Sequence, residues 1–236
     1  MTHSACPLGK ETQLQKMKPM KIHFALLIAA FLVTGCAFNV GFNPAYLPGE
    51  AQTLEIPGKG LVVIDATDDN WISSEHPTSF TGSATTLAIP IGTISREVAM
   101  RVFGAAFKEG ADFRNVAGDT SGYQLVVMPK VTKFTYAYNS LQNLGFAITP
   151  QVDIGMHVTL TAPDGHLLLD KVYASGLVNG NTYVMSGQPA EMVNKLVHIT
   201  LFNLMTSAAK DAKQIMARQP KGSHEKGAQG KEEISI

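Results

Sequence analysis

Residues 152–173 read VDIGMHVTLTAPDGHLLLDKVY, and this stretch decides the fold class. Val152, Ile154, Met156, Val158 and Leu160 alternate with Asp153, Gly155, His157, Thr159 and Thr161. That is the period-two pattern of a strand with one buried and one wet face. Ala162-Pro163-Asp164-Gly165 supplies a turn, with Pro fixing φ and Gly taking φ > 0. His166–Tyr173 is then the returning strand of a hairpin. Two registers are open. A three-residue Pro-Asp-Gly loop sets Val158 opposite Asp170, as turn chemistry favours, and a four-residue loop sets it opposite Leu169, as burial favours.

Working outward, Tyr123–Tyr138 reads as a long strand, with Phe134, Tyr136 and Tyr138 alternating with Lys133, Thr135 and Ala137. Pro129 in its middle points to a sheet edge or a bulge. Gln142–Gly145 is the expected turn into the hairpin. Leu61–Asp65 and Thr85–Ile89, the latter closed by Pro90, are shorter strands. A helix follows, capped by Thr93, with Ile94, Val98, Val102 and Ala106 recurring every four residues and Gly110 as its stop. The last helix opens at Pro189 and carries Val193, Leu196, Val197, Leu201, Leu204, Met205 and Ala208 in one stripe, continuing to about residue 217. This element order predicts a single α+β domain over residues 61–218. Its antiparallel or mixed sheet has about four or five strands, with both helices packed on one face.

The N-terminal part reads differently. Lys16–Cys36 is KMKPMKIHFALLIAAFLVTGC: three Lys, then an unbroken apolar run of ten residues, Phe24–Val33. A spanning helix needs about 20 apolar residues, so this run has the length of a signal-peptide core instead. Leu32-Val33-Thr34-Gly35-Cys36 resembles the bacterial lipobox. Small side chains at Thr34 and Gly35 let the backbone lie flat in a protease cleft, and only a thiol offers the nucleophile that a lipid donor alkylates. Residues 1–35 are therefore expected to be a signal peptide, with translation starting at Met17 or Met20, and Cys36 to be the lipidation site. Ala37 rather than Asp follows the Cys, which in a Gram-negative host is an outer-membrane address. Residues 36–60, rich in Gly, Pro and Asn, read as a lipidated N-terminus and extended tether, and residues 219–236 as a disordered tail.

Composition narrows the function. Of 236 residues, 19 are basic and 19 acidic, so no net field points to a nucleic-acid partner. Beyond residue 35 the balance is 15 to 18, because the leader holds four Lys and one Glu. Cys36 is the only thiol left there, which excludes an internal disulfide and cysteine catalysis in the exported part.

Motifs for chemistry are few. Gly58-Lys59-Gly60 precedes a strand, whereas a nucleotide-binding turn follows one. Asp65, Thr67 and Asp69 alternate like the start of a calcium loop. However, Asn70 stands where Gly is needed and His76 where a bidentate Glu belongs, so they read as solvated carboxylates. Asp153 and His157 share one strand face with no evident nucleophile, and His198 lies beside the apolar stripe of the last helix. Phe134, Tyr136 and Tyr138 read as cross-strand packing beneath a helix. No catalytic, metal or cofactor site follows.

With lipobox, strand–helix–strand–hairpin–helix order and PDG turn in view, residues Leu87 to about Ala212 resemble the YajG-type lipoproteins of proteobacteria. More distantly, they are similar to the lipopolysaccharide-assembly and ABC-transport auxiliary lipoproteins. The resemblance carries over one residue, Cys36. Together with the lipobox and Ala37, the expectation is a non-enzymatic accessory or docking lipoprotein, held at the periplasmic face of the outer membrane by lipid and working with an envelope protein partner. The alternative is a periplasmic carrier of an apolar or lipid-like ligand between sheet and helices.

Overall fold

The computed structural model describes residues 37–140, 147–184 and 189–218. In chain order these form β1 (Ala37–Asn39), a 3-10 turn (Pro44–Tyr46), β2 (Gly60–Val63), α1 (Ala66–Asp69), β3 (Ser73–Glu75), β4 (Thr86–Ile89) and α2 (Ile91–Ala106). They continue with β5 (Ala111–Arg114), β6 (Leu125–Asn139), β7 (Ala147–Thr161), β8 (Leu167–Asn179), β9 (Tyr183–Val184) and α3 (Pro189–Arg218). The expected leader with Cys36, the turn at Gln142–Gly145 and the tail lie outside the described residues. No helix among the described residues is long and apolar enough to cross a membrane.

Two sheets form, with more strands than the four or five expected. The larger is mixed and has the order β5-β2-β6-β7-β8, with β9 paired to the start of β7, and the smaller is β1-β4-β3. β2 runs parallel to both β5 and β6, and β6, β7 and β8 are antiparallel. The extra strands are two to four residues long, too short to show a period of two. All four residues of β2 are buried, as befits a central strand covered on both faces.

The two long helices, α2 and α3, lie on one face of the larger sheet and share its main core with Val62, Val127, Phe134, Ile154, Met156 and Leu160. Leu61, Val63 and Val126 form a small second cluster, packed against Ala117, Tyr123 and Met128. Pro129 is tolerated because β2 follows β6 only as far as Val127, and a register shift follows between Val131 and Lys133. Helix α2 begins two residues before Thr93, at Ile91, without a side-chain cap. A tertiary bond replaces the cap: the Gly92 N–H donates to the Trp71 carbonyl at 3.0 Å.

Neither expected hairpin register holds. The tip is the three-residue loop, with Ala162 N–H bonded to the His166 carbonyl at 2.9 Å and Gly165 at φ 84°. Between the Leu160–Leu169 and Thr161–Leu167 pairs the register slips, so Val158 faces Lys171. The bulge satisfies turn chemistry at the tip and still puts Leu169 on the core side. β8 also runs on past Tyr173 to Asn179. Ser175-Gly176 is absorbed by a second irregularity, with Gly176 at φ 60° and the Ser175 hydroxyl accepting the Ile154 N–H at 2.9 Å.

The stretch expected as a tether is folded onto the domain. Leu47, Leu54 and Ile56 are buried, and Phe42 packs against the same core. The Asn43 N–H donates to His198 Nε2 at 3.1 Å, and the Asn194 side-chain amide to the Gly41 carbonyl at 2.9 Å. Phe42 stacks on the His198 ring at 5.4 Å. Further on, the Ile56 N–H reaches the Ala106 carbonyl and the Lys108 N–H returns to Ile56, both at 2.9 Å. The abundant Pro and Gly hide these spaced apolar anchors.

Candidate functional site

The carboxylates of residues 65–70 are structural. Asp65 caps α1, accepting the Thr67 N–H at 2.8 Å, and this bond holds its carboxyl below the usual range. Asp69 is buried and receives Arg96 Nη1 on both oxygens, at 3.0 and 3.1 Å. Asp68 pairs with Lys130 at 3.0 Å. Among the described residues no group of three or more His, Cys, Asp or Glu is placed to hold a metal.

Asp153 and His157 are not brought together. Asp153 takes Lys133 Nζ at 2.5 Å, while His157 pairs with Asp170 across the hairpin, on the sheet face away from the helices. His198 is fully buried, its Nδ1 against the Asn194 carbonyl at 2.8 Å, and burial lowers its pKa below 6.5. It clamps the N-terminal segment to α3. Phe134, Tyr136 and Tyr138 are core residues, with ring centroids 6.1 and 5.7 Å apart in succession. The Tyr136 hydroxyl donates to the Glu75 carbonyl at 2.9 Å and so ties the small sheet to β6. Burial pushes its pKa up to about 12.

Two features escape sequence reasoning. The first is a cavity of about 340 Å³ where β7 and β8 meet the first turns of α3. Pro150, Val178, Met192, Leu196 and Ile199 give apolar walls, and Lys195 stands among them. Tyr183 also lines it; its hydroxyl is buried with no hydrogen-bond partner among the described residues, and its pKa is raised to about 12 by desolvation. The size suits part of an acyl chain, at the small end of the range for ligand pockets.

The second is the far edge of the larger sheet. β8 has β7 on one side and no strand on the other among the described residues. Leu167, Val172 and Leu177 are 52%, 63% and 62% exposed, and their partners in β7 are Thr161, His157 and Asp153. The two irregularities keep all three apolar side chains on the outer face although they are five residues apart. A long strand edge flanked by exposed apolar residues is a surface on which another strand can pair.

No family model and no curated protein matches the chain. Among solved structures it is similar to one described as a lipoprotein from Caulobacter crescentus, at 12% identity over 55% of this chain and 85% of that one, with a TM-score of 0.33. A minor lipoprotein from Acinetobacter baumannii is similar at 10% identity over 66% and 93%, also at 0.33. One described as a neuraminyllactose-binding hemagglutinin homologue from Helicobacter pylori is similar at 8% over 75% and 95%, at 0.38. At these scores the likeness assigns neither fold nor function.

Proposed function

We propose that the chain is an envelope lipoprotein, cut before Cys36 and held by lipid on that residue at the periplasmic face of the outer membrane, where it docks a protein partner and performs no catalysis. The observation that carries this reading is the sequence Lys16–Cys36, in which basic start, ten-residue apolar run and lipobox stand in order. Multiple acyl chains on one residue make such attachment stable. The resemblance of residues 87–212 to YajG-type lipoproteins belongs to the same reading. Docking is supported by the exposed edge of β8, which offers main-chain pairing and an apolar flank.

The test is metabolic labelling. Cells fed radioactive palmitate label the protein, and Cys36→Ser abolishes the label and releases the chain from the membrane fraction. An unlabelled protein, or a Cys36→Ser variant that stays with the membrane, refutes the reading. A photo-crosslinker at Leu177 in intact cells then captures a partner protein.

The carrier reading is favoured by one observation, the apolar cavity beside Lys195. Co-purified lipid in native mass spectrometry supports it. An empty protein whose crosslinks report a single partner supports docking.

A further inference from the structure

In the small sheet, β1 and β4 are parallel, with Ala37 opposite Thr86, and β3 and β4 are antiparallel, with Glu75 opposite Leu87. The chain therefore joins β1 at the same end of the sheet as the loop of residues 76–85. Cys36 precedes Ala37 directly in the sequence, one peptide bond away. A lipid on Cys36 brings this end of the sheet to the bilayer.

The loop carries Phe80 in its middle, 96% exposed. It is not a slack segment. The Thr78 N–H donates to the Tyr136 carbonyl at 2.8 Å, and the Ser79 hydroxyl accepts the Tyr138 N–H at 2.8 Å. Thr81 and Ser140 share a hydroxyl bond at 2.9 Å, and the Thr85 N–H closes onto Gly82 at 2.8 Å. Tyr138 packs so closely on Gly82 that a Cβ there would stand 2.9 Å from the ring. The scaffold thus fixes the loop and leaves its one large apolar side chain in the open.

Charge points the same way. Residues 77–95 contain no Asp, Glu, Lys, Arg or His, and neither do residues 37–49. Glu75 precedes the loop and His76 opens it, with His76 Nδ1 bonded to the Thr85 carbonyl at 2.9 Å. An uncharged, hydroxyl-rich turn with one exposed aromatic suits the headgroup boundary of a bilayer, where rings are favoured and charges are not.

From these observations we infer that the loop of residues 76–85 inserts Phe80 into the outer edge of the lipid bilayer, as a second, non-covalent foot beside the lipidated Cys36. The inference rests on the lipoprotein reading above. One Phe cannot hold a soluble domain at a membrane. Joined closely to an anchored residue, its insertion becomes intramolecular, at high effective concentration.

The test uses Phe80→Trp in the full lipidated protein, reconstituted into phosphatidylcholine vesicles whose acyl chains carry bromine near the headgroup. Trp71 is the only natural Trp. It precedes Ser73, which pairs with Ile89 at the opposite end of the small sheet, so the unsubstituted protein is the control. Emission from the indole introduced at position 80 is expected to shift to the blue and to lose most of its intensity in brominated vesicles, with Trp71 unaffected. An introduced indole that keeps a solvent-exposed spectrum and full intensity overturns the inference. So does quenching equal to that of Trp71, or protection of the introduced indole by an added membrane-protein extract alone. The intact mass is read first: a chain without acyl groups refutes the lipoprotein reading, whereas an unquenched indole at position 80 on an acylated chain removes only the foot.

Discussion

His198 is the residue on which the N-terminal segment depends. Its ring accepts the Asn43 N–H, stacks on Phe42 and meets Tyr46 edge-on, and it is fully buried. The Tyr46 hydroxyl in turn donates to Glu191 at 2.6 Å, one helical turn away from Lys195 on α3. Because burial lowers the folded-state pKa of His198, the unfolded chain takes up a proton below about pH 6.5 that the folded chain refuses. This share of stability is complete above 6.5 and is lost as pH falls from there toward the lower folded value. Urea midpoints between about pH 7.5 and 5 are therefore expected to drop more steeply for the natural protein than for His198→Gln. Parallel curves would assign the pH response to other groups.

At the scale of elements, length decides what could be read from the sequence. α2, α3, β6 and β7 are 15 residues or longer, and their periodicities predict their existence and type, although β7 begins at Ala147, five residues before the expected Val152, and α2 ends at Ala106, short of Gly110. β1, β3, β5 and β9 have two to four residues and take their conformation from partners far along the chain. The hairpin shows the intermediate case: its strands and turn are legible, but its register is set by bulges that local pattern does not encode. The candidate surfaces divide likewise. Cys36 stands in a motif, whereas nothing near Phe80 or Leu177 in sequence says whether the fold will cover them. The edge strand β8 is held from beneath by α3, through Asp211. Its carboxylate accepts the Tyr173 hydroxyl and pairs with Lys171, both at 2.7 Å. Removing that support should loosen β8 selectively. Asp211→Ala is expected to speed hydrogen exchange of β8 amides several-fold, with β6 and β2 unchanged. Uniform acceleration would mean that the bond supports the whole fold instead.

For the whole molecule, the decisive finding is that the stretch from Ala37 to residue 60, expected as a tether, is folded onto the domain. Deleting residues 37–47 removes β1, the partner of His198 and the burial of Phe42 and Leu47. A loss of about 3 kcal/mol in urea unfolding is expected from two apolar side chains of this size. A free tether would cost nothing, so an unchanged midpoint refutes the strap. The early start of β1 also sets an order of events. On the lipoprotein reading proposed above, the protease that cuts before Cys36 needs the residues on both sides of the bond laid out in its own cleft, and Ala37 cannot lie there while paired with Thr86. On that reading, maturation must run ahead of folding or catch the first strand while it is peeled away, which makes this short strand a clock for the molecule's birth at the membrane.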